Sequence, residues 1–327
     1  MTGDPSGPVW VPTQAPDLSE FLAPNVQPVP LLPAIGIVLF VAYSCGALRL
    51  WATGRRWSVT RTICFLSGCS ILIVTMGAGL EGYGYRLFSV FMFQQLTLMM
   101  AIPPLLVLGS PGTLLLKTIP HRGVGILIQR AALMGLRSRG ARLILHPAVM
   151  IPLFLFTFYG LYLSGIASTL LESWSGHVGL ELLFLASGIL FTIPLISADP
   201  LPARQSHLGR LLDLFAEMPL HAFFGVIVMT ATIPLVTYFA TPPSSWGIDP
   251  IQDQLIAGGL AWSYGELPTL IIVLVLLTRW HRDDTTRATA ADKRHDKHGN
   301  ADLDAYNDYL THLNQRATRS RTTKETP

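Results

Sequence analysis

The sequence predicts an all-α fold: a polytopic membrane protein of seven transmembrane helices, with the N-terminus outside and the C-terminus cytoplasmic. Three observations carry that reading. Half of the 327 residues are hydrophobic and only 13% are charged, against roughly 25% in soluble proteins. Apolar segments near twenty residues long recur, the length that crosses a hydrocarbon core of roughly 30 Å. Of the 23 Lys and Arg, all but Arg86 fall between spans one and two, three and four, or five and six, or beyond span seven. Cytoplasmic segments collect such residues, and a six- or eight-span count would break the asymmetry. The net charge of +3 thus reports topology and points to no nucleic-acid partner.

Taken in order, residues 1–30 are Pro-rich and polar and read as an extracytoplasmic arm. They hold Asp4, Asp17 and Glu20 but no Lys or Arg, so the basic region of a cleavable leader is missing. The membrane domain, 31–278, comprises spans at 31–51, 62–80, 87–109, 147–167, 178–197, 219–239 and 255–278. Cys45, Cys64 and Cys69 lie inside spans one and two without metal-motif spacing and read as packing residues. Residues 118–143 interleave Val124, Ile126, Leu127 and Leu133 with Arg130, Arg137 and Arg139, the pattern of a basic amphipathic helix at the inner interface. Residues 279–327 form a polar cytoplasmic tail. Leu303, Tyr306, Leu310 and Leu313 recur there at helical spacing and predict a short amphipathic helix.

Polar groups inside spans are costly and default to a functional reading. His177 and Glu181 are four residues apart and share a helix face. They read either as metal ligands or a proton-linked pair, or as a hydrogen bond fixing the outer end of span five. Met218 and His221 are three apart near the inner end of span six. Thioether with imidazole suits Cu(I), and the structural alternative is an interhelical hydrogen bond with Met218 as packing. Glu266 falls near the middle of span seven, where a carboxylate must be protonated, paired or in a polar cavity. Pro268 is expected to kink that helix. Asp249 and Asp253 precede span seven, and the Asp-Pro pairs Asp199–Pro200 and Asp249–Pro250 read as turns and caps. Asp253 is expected close to His177. Span three carries Gln94 and Gln95 near its start and Pro103–Pro104 near its end; Gln95 is expected to reach a neighbour such as His177.

Five of these segments, in this order, resemble one family. They are "LFSVFMFQQLTLMMAIPPLLVLGSPGTLLL", "LILHPAVMIPLF", "GILFTIPLISADPLPAR", "EMPLHAFFGVIVM" and "WGIDPIQDQLIAGGLAW". Together they are similar to the integral-membrane cytochrome c oxidase assembly proteins of the CtaG type, in their actinobacterial form, from about Leu80 to Arg287. The resemblance implies a plasma-membrane accessory factor, not an enzyme, that helps build a haem–copper oxidase and is linked to copper delivery. Its partners would be oxidase subunits or other assembly factors, within membrane lipid. His177, Met218 and His221 match family positions. Where the family reads His-Met-x-x-His in span three, this chain has Phe91-Met92-Phe93-Gln94-Gln95. Phe91 cannot ligate, and Gln95 offers an amide in place of imidazole. The implied copper cofactor therefore loses its span-three ligands. Two alternatives stand beside copper delivery. One is a divergent scaffold without metal handling. The other is a copper or small-solute transporter, against which the sequence shows no inverted repeat.

Overall fold

A computed structural model describes residues 6–119, 126–127, 134, 138–197, 199, 206–298 and 301–322. The chain divides into two compact units, Met1–Leu276 and Leu277–Pro327. Among the described residues the first unit is helical, apart from one isolated bridge between Ser6 and Ser173. It begins with a short helix α1 (Leu18–Phe21), followed by α2 (Leu31–Ala52) and α3 (Val59–Gly77). Ser58 starts α3 by accepting a hydrogen bond from the Arg61 amide, the usual work of a serine N-cap. A single turn, α4 (Leu80–Gly84), leads into the third span.

That span is the axis of the bundle: 83% of its most apolar window is buried, against 28–61% in the other five long helices. It runs as α5 (Phe88–Leu96), a π-helical turn (Thr97–Ala101) and α6 (Ile102–Leu108), then α7 (Pro111–Thr118) after a break at Ser110. The π turn follows from the prolines. Pro103 and Pro104 have no N–H to give the carbonyls of Met99 and Met100, so the hydrogen-bond ladder loosens one turn before them. The α6 helix packs on α3, and the π turn on the later long helix Trp174–Ile196.

The fourth segment consists of α8 (Arg139–Ile144), α9 (Pro147–Leu155), a second π turn (Phe156–Gly160), α10 (Leu161–Leu163) and α11 (Ile166–Leu171). Its apolar part, Pro147–Leu163, is shorter than the six helices that are long and apolar enough to cross a membrane. At 1.5 Å per residue it covers about 25 Å. The expected basic amphipathic helix over 118–143 lies largely outside the described residues.

The remaining helices are α12 (Trp174–Ile196), α13 (His207–Thr230), α14 (Pro250–Ser263) and α15 (Glu266–His298). The sixth span was expected at 219–239, but α13 begins at His207, twelve residues earlier, and stops at Thr230. Pro234 explains the stop: it has no N–H for the Thr230 carbonyl. Gln254 then ties down the loop, accepting from Leu235 N at 2.8 Å and donating to the carbonyls of Ala231 and Ile233. This shift moves His221 from a helix end to mid-helix. The α13 and α14 helices make the most intimate pair of the bundle, because Gly225 and Gly258 face each other. A Cβ on Gly225 would lie 2.8 Å from the Gly258 carbonyl oxygen, and one on Gly258 2.7 Å from that of Gly225. The kink expected in span seven is a break at Tyr264–Gly265, where Pro268 leaves the Tyr264 carbonyl without its donor. The second unit holds the rest of α15 and α16 (Ala301–Thr322).

The arm before α2 folds over one end of the bundle. Ser6 N donates to Glu172 O at 3.0 Å, and Trp174 N to Ser6 O at 2.9 Å. The Tyr83 hydroxyl donates to Gln14 O at 3.1 Å, and the Trp246 indole to Thr13 O at 3.3 Å. Beneath it Tyr83, Leu87, Val90 and Trp246 form a buried cluster, with Phe21 packed against it.

Candidate functional site

Under that arm lies a cluster that sequence reading only half found. His177 sits in the first turn of α12, which Ser173 starts by accepting from Gly176 N. Glu181 follows one turn later, as its spacing predicts. The third member is Glu81, on α4. Ligand atoms from Glu81, His177 and Glu181 lie within 4.8 Å of one another, and all three residues are buried. The His177 ring is held in place: it stacks on Tyr85 at 3.7 Å between centroids, tilted by 14°, with Phe91 at 5.2 Å on another side. Gln94 donates to Glu81 Oε2 at 2.6 Å. Gly84 makes room for that contact, since a Cβ there would come within 2.8 Å of the Gln94 carboxamide carbon.

His177 Nε2 and Glu181 Oε1 are 3.0 Å apart, yet they are not aligned for a hydrogen bond. Both atoms, and His177 Nδ1, are buried without one. An unsatisfied buried donor or acceptor costs about 1–3 kcal/mol, so His177 Nε2 and Glu181 Oε1, 3.0 Å apart and both unsatisfied, mark a place built for something else. Burial, and next the nearby Glu181 carboxylate, pushes Glu81 well above the usual carboxylate range. A cavity of about 10 Å³ reaches Glu81 and Glu181 from the arm side, past Gln27, Tyr85 and Trp174.

The other expected site residues are dispersed. Gln95 does not meet His177. Its Nε2 donates to Thr157 O at 3.1 Å and its Oε1 accepts from the Tyr162 hydroxyl, joining α5 to the fourth segment. Phe91 packs among His177, Phe184 and Phe239. Asp253 is engaged elsewhere too: its carboxylate accepts from Phe88 N at 2.6 Å and from Ser89 N and Oγ, capping α5 from α14. Asp249 caps α14 through Gln252 N, as its Asp-Pro pair predicts. Asp199 accepts from Gly112 N and Thr113 N and so caps α7 from across the bundle.

A second buried polar group gathers mid-bundle. His221 Nδ1 lies 3.7 Å from Glu217 Oε1, and neither His221 nitrogen has a hydrogen bond. A Cβ on Gly265 would lie 2.6 Å from His221 Nε2 and 2.9 Å from Met100 Sδ. The sulfur that borders this glycine with His221 is thus that of Met100; Met218, the one expected, is half-buried one turn away on α13. Glu266 is exposed at the start of α15.

Glu81 and Glu217 were missed for one reason. Span edges drawn by hydropathy put both just outside the membrane, where a carboxylate reads as solvated. The glycines around Glu81, in "GAGLEGYGYR", were the available signal of a tightly packed turn.

Copper as Cu(I) does not fit the His177 cluster, whose donors are one imidazole and two carboxylates with no sulfur.

The model of the cytochrome c oxidase caa3 assembly factor (Caa3_CtaG) family matches residues 41–283. The chain is 37% identical over 289 residues to uncharacterized proteins of Mycobacterium bovis and Mycobacterium tuberculosis, and 36% identical over 289 residues to one of Mycobacterium leprae. Each match covers 87% of this chain but 44% of the relative, so the chain spans less than half the length of these relatives. No solved structure matches it. With most of its length inside the family model, the chain belongs to the cytochrome c oxidase caa3 assembly factor family.

Proposed function

We propose that this chain assists assembly of a haem–copper oxidase in the plasma membrane as a non-catalytic helical scaffold, without passing Cu(I) along its third span. One observation carries the second half of that reading. Gln95, at a position where the family resemblance implies a ligand, spends both ends of its amide on Thr157 and Tyr162. Phe91, at the other, is packed in aromatic side chains. Both hold the bundle together. The charge pattern supports seven spans with the Glu81 end extracytoplasmic, and oxidase subunits or other assembly factors are the partners this role requires. The test is the copper-to-haem ratio of whatever oxidase remains in a strain lacking the chain. A scaffold leaves that ratio unchanged while the amount falls; a lowered ratio points to copper delivery instead.

A second reading, Cu(I) handling in mid-bundle, has one observation behind it. His221, with both nitrogens unpartnered, borders Gly265 together with the Met100 sulfur, and thioether with imidazole suits Cu(I). Purified chain that retains Cu(I) under reducing conditions, and loses it on Met100→Leu, supports that reading. Failure to retain Cu(I) removes it.

A further inference from the structure

We propose that Glu81, His177 and Glu181 form a binding site for a divalent cation of the zinc class, open to the arm side. Four observations converge. The donors are mixed nitrogen and oxygen, one imidazole and two carboxylates, which Zn(II) accepts and Cu(I) does not. All three side chains are buried with their donor atoms within 4.8 Å of one another, and His177 Nε2 and Glu181 Oε1 have no hydrogen bond. A dication balances two carboxylates beside a neutral imidazole, whereas a monovalent ion leaves one negative charge buried. The cavity at Glu81 and Glu181, about 10 Å³, has room for about one water-sized occupant and for no larger ligand.

The surroundings are those of a held ligand set. Tyr85 and Phe91 fix the plane of the imidazole. Gln94 orients Glu81 through a 2.6 Å hydrogen bond, as partners behind metal ligands do. The three donor atoms lie within 4.8 Å of one another, of the order of the edge of about 3.5 Å set by bonds of about 2.1 Å to a tetrahedral ion. Three protein ligands leave one position open, on the cavity side.

This site does not depend on the oxidase role, and its test is separate. The full chain, purified in detergent and stripped with EDTA, is dialysed against Zn(II) alone and its metal content is measured. One zinc per chain is expected, with none retained by His177→Ala or Glu181→Gln. Gln94→Leu is expected to weaken zinc binding roughly 10–100-fold while leaving both ligating helices intact. Circular dichroism of the EDTA-treated variants matching wild type shows that loss of zinc is not loss of fold. Wild-type chain that retains no zinc overturns the proposal; the cavity then holds water or the carboxylates share a proton. Zinc retained at one per chain by both ligand variants overturns it as well. Cu(I) loading, if it occurs at Met100 and His221, is unaffected by Glu181→Gln.

Discussion

Gln95 shows how a polar residue inside a membrane bundle can be purely structural. Its amide satisfies a backbone carbonyl freed by the second π turn and a tyrosine hydroxyl, each otherwise buried alone. Gln95→Leu keeps the volume and leaves Thr157 O and the Tyr162 hydroxyl without partners. The expected cost is about 1–3 kcal/mol, read as a lower melting temperature in detergent; an unchanged melting temperature would show the pair to be solvated another way. Residue identities foresaw part of this. The spacing of His177 and Glu181 put them on one face, and there they are. Their third partner was not legible, because Glu81 is 96 residues upstream of His177 in sequence and only packing brings them together. Asp253, expected near His177, has its carboxylate on the open amides of α5, a contact across 165 residues that sequence spacing does not show.

At the scale of elements, the helices are tied end to side by carboxylates from other helices. Asp253 caps α5 and Asp199 caps α7, each in place of a cap from the helix's own N-cap residue. Asp253→Ala is expected to cost about 0.5–2 kcal/mol and to speed hydrogen exchange at the amides of Phe88 and Ser89 specifically. Exchange that rises uniformly would instead mean global loosening. The α13–α14 pair rests on Gly225 and Gly258 in backbone contact. Gly258→Val forces them apart at about 1–3 kcal/mol, whereas Gly259→Ala, which meets open space, is expected to leave the melting temperature near wild type. The helices themselves were readable from hydropathy, with α2 matching to within a residue. The sixth slipped because "ATIPLVTYF" is as apolar as a helix, and only Pro234 and the reach of Gln254 mark it as a loop.

At the scale of the molecule, a buried third span organises the bundle, and the Pro-rich arm closes one end over a carboxylate–imidazole cluster. Hydropathy and charge patterning announce the membrane class; they say nothing of an arm that folds back, since its contacts are backbone hydrogen bonds and a few aromatic rings. Family membership links this architecture to oxidase assembly, while the occupied amide of Gln95 argues against a copper path along span three. The most direct test measures assembled haem–copper oxidase, by its haem absorbance, in membranes from a strain lacking the chain. The account predicts a clear fall that the wild-type chain restores. Oxidase at its normal level in that strain would contradict it.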